Sequence, residues 1–293
     1  MKNFGQVLTA MVTPFNADYS VNYSEVANLA KYLVNNGSDG LVVAGSTGEA
    51  ATLATDEKLK LFKVVLEAVG DKATVIAGTG SNDTRASIEL TKEAEKIGVH
   101  GAMLVGPYYN KPPQEGYYQH FKAIADSTML PLIVYNVPGR TASNMLPTTI
   151  ARLAEIENIV AVKEASGSLD QVSEIIRTTP NDFWVYSGDD GLTLPILSVG
   201  GCGVISVAAH VVGNRMQEMI TSFLAGDLNK AQALHLELMP FFKVIFVTTN
   251  PIPIKKAVNI LGINAGPVRL PLVSLTASEE EQLKNVMQAI GAL

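Results

Sequence analysis

Residues 74–105 read TVIAGTGSNDTRASIELTKEAEKIGVHGAMLV. Val75 to Ala77 is a short apolar run. Ala86, Leu90, Ala94 and Ile97 follow at helical spacing, and Gly98 closes that stripe. Ala102 to Val105 is apolar again. Strand, helix and strand in succession make a βαβ unit, whose strands pair in parallel because the helix carries the chain back.

The same beat runs outward in both directions. Upstream, Val7 to Val12 is apolar until Thr13-Pro14 breaks it, and Val26, Leu29, Ala30 and Leu33 mark a helix ended by Asn36-Gly37. Gly40 to Ala44 is strand-like, and Phe62, Val65, Leu66 and Val69 form a helical stripe stopped at Gly70. Downstream, strand-like runs at 131–135, 159–163, 183–186 and 203–207 alternate with helices over 115–127, 148–154, 168–178 and 192–197. The strands are apolar without alternation, as expected where both faces are buried. Eight strand–helix units predict an α/β fold, a (β/α)8 TIM barrel, over residues 1–209. An open doubly wound sheet is the alternative, but no Gly-x-Gly-x-x-Gly follows the first strand.

From His210 the character changes. Residues 216–224, 228–247 and 277–290 read as helices, around a Pro- and Gly-rich stretch from Pro251 to Pro271. Residues 210–293 are expected to be a helical extension packed on the barrel, with a contact surface between subunits as its alternative role.

Hydrophobic residues make up 47% of the 293, so a large core can be buried. A formal net charge of −6 argues against a nucleic-acid partner, which needs a basic face. Cys202 is the single cysteine, and His100, His120, His210 and His235 show no ligand spacing, so no metal and no cofactor are expected. Met1-Lys2-Asn3-Phe4 leads directly into the first strand without a secretory pattern, and no stretch is long and apolar enough to span a bilayer. A cytoplasmic protein with no membrane partner is expected.

Barrel enzymes place reacting groups at the C-terminal ends of their strands. Here those ends include Gly45-Ser46-Thr47-Gly48-Glu49, Gly106-Pro107-Tyr108-Tyr109-Asn110, Tyr135-Asn136-Val137-Pro138-Gly139-Arg140, Lys163-Glu164, Ser187-Gly188-Asp189-Asp190 and Ile205-Ser206. Lys163 ends a buried strand. It is either a rim charge pairing with Glu164 or another carboxylate, or a nucleophile whose burial frees the neutral amine. The Ser46-Thr47 turn offers backbone N–H groups and two hydroxyls to a carboxylate, although a plain connection explains it too. Tyr109 and Tyr135 are proton carriers or packed aromatics, and Arg140 is a carboxylate clamp or a surface arginine. Asp189-Asp190 reads as a helix cap rather than a metal site. Together the lysine, the turn, the tyrosines and the arginine suit an α-keto acid.

With these motifs, Val162-Lys163-Glu164 and Asn250-Pro251-Ile252-Pro253, the chain resembles the pyruvate-dependent Schiff-base lyases, the superfamily of dihydrodipicolinate synthase and N-acetylneuraminate lyase, essentially end to end. Tyr135 to Thr141 is similar to the synthase branch; another pyruvate-dependent aldolase acting on a sugar acid is the alternative. The resemblance implies pyruvate and L-aspartate-4-semialdehyde as substrates. Lys163 would be the imine-forming nucleophile, Ser46 and Thr47 would hold the pyruvate carboxylate, and Arg140 the carboxylate of the aldehyde. Tyr135, Ser46 and a Tyr109 from the neighbouring subunit would relay protons in a homodimer or a homotetramer of dimers. Ile205 would bring its carbonyl near the nucleophile, and Gly188 is placed among the substrate-binding positions. The synthase turn usually carries two threonines; Ser46 keeps the hydroxyl and loses the methyl. Lysine-sensitive synthases carry histidines where this chain has Thr55 and Lys58 and a glutamate where it has Ala86, so weak inhibition by lysine is implied.

Overall fold

The computed structural model describes residues 4–293; Met1, Lys2 and Asn3, which open the expected barrel segment, lie outside the described residues. The chain runs through β1 (Val7–Ala10), α1 (Tyr23–Asn35), β2 (Gly40–Val43), α2 (Thr55–Val69), β3 (Thr74–Gly78), α3 (Thr84–Ile97), β4 (Gly101–Val105) and α4 (Gln114–Ala125). It continues through β5 (Leu132–Asn136), α5 (Pro138–Thr141), α6 (Pro147–Ala154), β6 (Ile159–Glu164), α7 (Leu169–Thr178), β7 (Trp184–Ser187), α8 (Thr193–Ser198) and β8 (Gly203–Ser206). Four helices follow: α9 (Ala209–Leu224), α10 (Leu228–Val244), α11 (Ile252–Ile260) and α12 (Ala277–Ala289). The strand order is the chain order and closes as a barrel, which bears out the (β/α)8 expectation. None of the described helices is long and apolar enough to cross a membrane.

Contacts group the chain into two compact units, residues 1–75 with 206–293, and residues 76–205. In the first, β1 and β2 pair in parallel, both buried along their length, and α9 packs against β1 and α1. The C-terminal helices therefore share a unit with the first two strands. In the second, β4, β5, β6 and β7 pair in parallel, with Tyr135 opposite Lys163 and Lys163 opposite Tyr186.

Two helices depart from expectation. α9 begins at Ala209, not near Met216, and bends at Val212. The His210 ring holds its first turn, with Nδ1 2.8 Å from the Val207 carbonyl and Nε2 accepting from the Val12 N–H at 3.1 Å. Gly213 lets the helix approach Asn36, whose carbonyl oxygen would lie 2.2 Å from an added Cβ. A polar ring and a glycine gave no apolar stripe to read. α11 lies inside the Pro-rich stretch read as irregular: Pro251 caps it and Pro253 sits in its first turn, where no N–H is required.

Candidate active site

β6 alternates its side chains, so Lys163 and Glu164 face opposite ways. The Lys163 side chain is buried, and its amine lies 4.4 Å from the centre of the Tyr135 ring. Its stem runs beside Gly188, where an added Cβ would lie 3.2 Å from Lys163 Cε and 2.7 Å from Ala165 Cβ. Burial pushes the amine down to about 8; the Asp190 charge raises it and the Arg140 charge lowers it further. Among the described residues Lys163 makes no ion pair, so the rim-charge reading with Glu164 is overturned. Glu164 instead accepts from Ser166 N–H at 2.6 Å, Asn136 Nδ2 at 3.0 and 3.2 Å, and Gln171 Nε2 at 3.2 Å. Burial raises the Glu164 pKa, and these donors oppose the rise.

Tyr135 is buried beside that lysine. Burial drives its phenol up to about 12, the Arg140 charge lowers it and the Glu164 charge raises it. It therefore keeps its proton near neutrality and can donate it. Arg140 sits on α5, a single turn begun by Pro138, and is exposed. The loop that follows is tied to the strand ends: Asn136 Nδ2 donates to Asn144 Oδ1 at 2.8 Å, and Met145 N–H donates to Asn136 Oδ1 at 3.0 Å. Asn144 in turn donates to Gln171 Oε1 at 2.8 Å. The carboxylate of Glu164 thus organises the segment that follows Arg140.

Tyr109 is 89% exposed and has a left-handed backbone, φ 73°. It has no hydrogen bond or ring contact among the described residues, so the structure does not bring it against Lys163 or Tyr135. Ile205 is buried on β8. Asp189 caps the short turn at 190–192 by accepting from Gly191 N–H at 2.8 Å, as the capping expectation has it.

The Ser46-Thr47 turn belongs to the other unit. Gly48 N–H donates to the Gly45 carbonyl at 3.0 Å and Glu49 N–H to the Ser46 carbonyl at 3.1 Å. Ser46 is half-buried and Thr47 buried. Asn250 Nδ2 donates to Thr47 Oγ1 at 2.9 Å. Glu49 takes a left-handed backbone, φ 58°, and turns its carboxylate inward. There it accepts from Lys255 Nζ at 2.8 Å and from Arg269 N–H at 2.8 Å, with both side chains of the ion pair only 1% exposed. The Lys255 amine also lies 3.9 Å from the Phe15 ring centre. Burial lowers the Lys255 pKa to about 8 although Glu49 raises it.

Sequence reasoning assigned no role to Lys255, quoted Asn250 and Glu49 only as members of motifs, and weighed Glu164 only as an ion-pair partner for Lys163. One signal was present: Lys255 stands among Ile252, Ile254, Ala257 and Val258, an apolar setting in which a buried cation needs a carboxylate.

The dihydrodipicolinate synthetase family model matches residues 3–290. A 4-hydroxy-tetrahydrodipicolinate synthase of Desulforamulus reducens is 59% identical over 292 residues, 99% of each chain. One of Moorella thermoacetica is 59% identical over 290 residues, again 99% of each. Among solved structures, a dihydrodipicolinate synthase of Bacillus anthracis aligns at TM-score 0.96 and 52% identity, over 98% of this chain and 99% of that one. One of Cyanidioschyzon merolae with lysine bound aligns at TM-score 0.98 and 51% identity, over 99% of each. With likeness running through both compact units, the chain belongs to the dihydrodipicolinate synthetase family.

Proposed function

We propose that this chain condenses pyruvate with L-aspartate-4-semialdehyde to give 4-hydroxy-tetrahydrodipicolinate, an early intermediate of lysine biosynthesis. The observation that carries the reading is the buried Lys163 amine, lowered to about 8 and without an ion-pair partner among the described residues. A neutral amine attacks the pyruvate keto carbon, and loss of water gives an imine. The imine draws electrons from the adjacent methyl, which loses a proton and becomes an enamine carbon. That carbon adds to the aldehyde. The amine of the second substrate then closes the ring on the imine carbon and releases Lys163. The imine is itself the electron sink, so the sequence needs no cofactor.

In this reading Ser46 and Thr47 hold the pyruvate carboxylate and Tyr135 passes protons as a phenol. Arg140 binds the aldehyde's carboxylate, and Gly188 and Ile205 border the nucleophile. Tyr109 completes the relay from a second subunit of a homodimer or homotetramer. Its exposure supports that, whereas one structural neighbour is described as a monomeric variant. The location proposed is cytoplasmic. A coupled assay with the two substrates tests the reaction: turnover with both and none with either alone is expected, and cleavage of a sugar acid in its place would overturn it. For Tyr109, Lys163→Ala and Tyr109→Phe subunits, each nearly inactive alone, should recover activity in a mixed dimer, up to about half of wild type by site count.

A further inference from the structure

We infer that Asn250 is a positioning residue for the pyruvate carboxylate, because its amide occupies the acceptor side of the Thr47 hydroxyl and leaves the hydroxyl hydrogen for the substrate. This rests on the reading that Thr47 holds that carboxylate.

A threonine hydroxyl has one hydrogen to give and two lone pairs to receive. Asn250 Nδ2 donates to Thr47 Oγ1 at 2.9 Å, so one lone pair is taken. Both residues are buried. Among the described residues the hydroxyl hydrogen meets no other acceptor. A buried donor without an acceptor is costly, and a carboxylate oxygen provides one. The direction of the Asn250 contact therefore decides what Thr47 does: a donor at 250 makes the hydroxyl a donor to substrate, and an acceptor at 250 would capture the hydrogen.

The geometry is anchored on both sides. Asn250 lies two residues before α11, and Lys255 of that helix holds Glu49, which ends the same turn, at 2.8 Å. The Arg269 N–H fixes the second oxygen of that carboxylate at 2.8 Å. The C-terminal segment thus grips the turn at Thr47 and at Glu49, and only the first grip reaches a hydroxyl assigned to substrate.

The test compares Asn250→Ala with Asn250→Asp, alone and in a Thr47→Val background, by steady-state kinetics with each substrate varied. Alanine frees the hydroxyl without capturing it and should raise KM for pyruvate about threefold; aspartate captures the hydrogen and should raise it about thirtyfold. KM for the aldehyde should stay within about twofold in both. In Thr47→Val there is no hydroxyl to capture, so neither change at 250 should add more than about twofold, although the aspartate charge is still present. An aspartate penalty of full size in that background, or equal penalties for alanine and aspartate, overturns the inference. If Asn250→Asp does not fold, the alanine pair decides by the same criterion: an effect undiminished by Thr47→Val overturns it. An unchanged pyruvate KM in Thr47→Val alone overturns the carboxylate reading as well.

Discussion

Lys163 and Tyr135 stand directly opposite each other across β5 and β6, with the amine 4.4 Å from the centre of the tyrosine ring. Burial lowers the amine to about 8, with the Asp190 charge opposing that shift and the Arg140 charge adding to it. The same burial holds the phenol near 12, so the pair offers a titratable base beside a fixed acid.

That difference predicts the pH dependence of imine formation. The neutral amine fraction grows as pH rises through about 8, so the rate of pyruvate trapping by borohydride should climb through that region. Intact-mass analysis and peptide mapping should place the adduct on Lys163. Lys163→Arg should form none, because guanidinium is not deprotonated in proteins. An adduct on another lysine overturns the assignment.

Arg140→Ala should raise KM for the aldehyde by about ten- to a hundredfold, from the loss of a charge-assisted contact worth roughly 1.5–3 kcal/mol. It should also move the pH profile of imine formation upward, since the Arg140 charge lowers the Lys163 pKa. Equal increases in KM for both substrates, with the profile unmoved, would identify a structural role instead.

L-lysine should inhibit weakly. Lys58 lies on α2 and is half-buried, and burial lowers its pKa; any charge it carries opposes a cationic ligand. Ala86 supplies no carboxylate to attract one. Rates measured at subsaturating pyruvate should show half-inhibition above about 1 mM lysine, roughly −4 kcal/mol of binding. A lower value would mean that other residues rebuild the site.

His210 should make the fold sensitive to mild acid. Burial lowers its pKa to about 4, against about 6.5 for an unfolded chain. The unfolded state therefore binds the proton more tightly. The stability due to neutral His210 is complete above about 6.5 and is lost as pH falls towards 4, by about 2 kcal/mol between pH 7 and 5. Urea midpoints should fall over that range in the wild type and fall less in His210→Asn, which cannot titrate. Parallel slopes would assign the acid sensitivity elsewhere.

The sequence disclosed what repeats locally. The turn from β3 through α3 to β4 is written in contiguous apolar runs and in Gly98, and Lys163 was legible as the last step of such a run. α9 was read seven residues short because its first turn is held by His210 and Gly213, a hydrogen-bonding ring and a gap rather than an apolar face. The partners of Thr47 and Glu49 were illegible for another reason. A hydrogen bond across 203 positions leaves no periodic trace, and the motif that contains Asn250 does not say what its side chain holds. Of the two readings left open for Lys163, pairing with Glu164 fails because neighbours in a strand face opposite ways.

The separations between Thr47 and Asn250, Glu49 and Lys255, and Glu49 and Arg269 are 203, 206 and 220 positions. A ribosome makes the turn at 45–49 about 200 residues before it makes its holders. A nascent chain that has just completed β8 already contains Lys163, Tyr135 and Arg140, but Glu49 has no buried cation to meet and the Thr47 hydroxyl has no amide to orient it. On the proposed reading, the grip on the keto-acid carboxylate is therefore set only after Asn250, Lys255 and Arg269 have been made. A message cut short after codon 206 would yield a polypeptide that carries the proposed nucleophile, Lys163, but lacks the partners of Thr47 and Glu49.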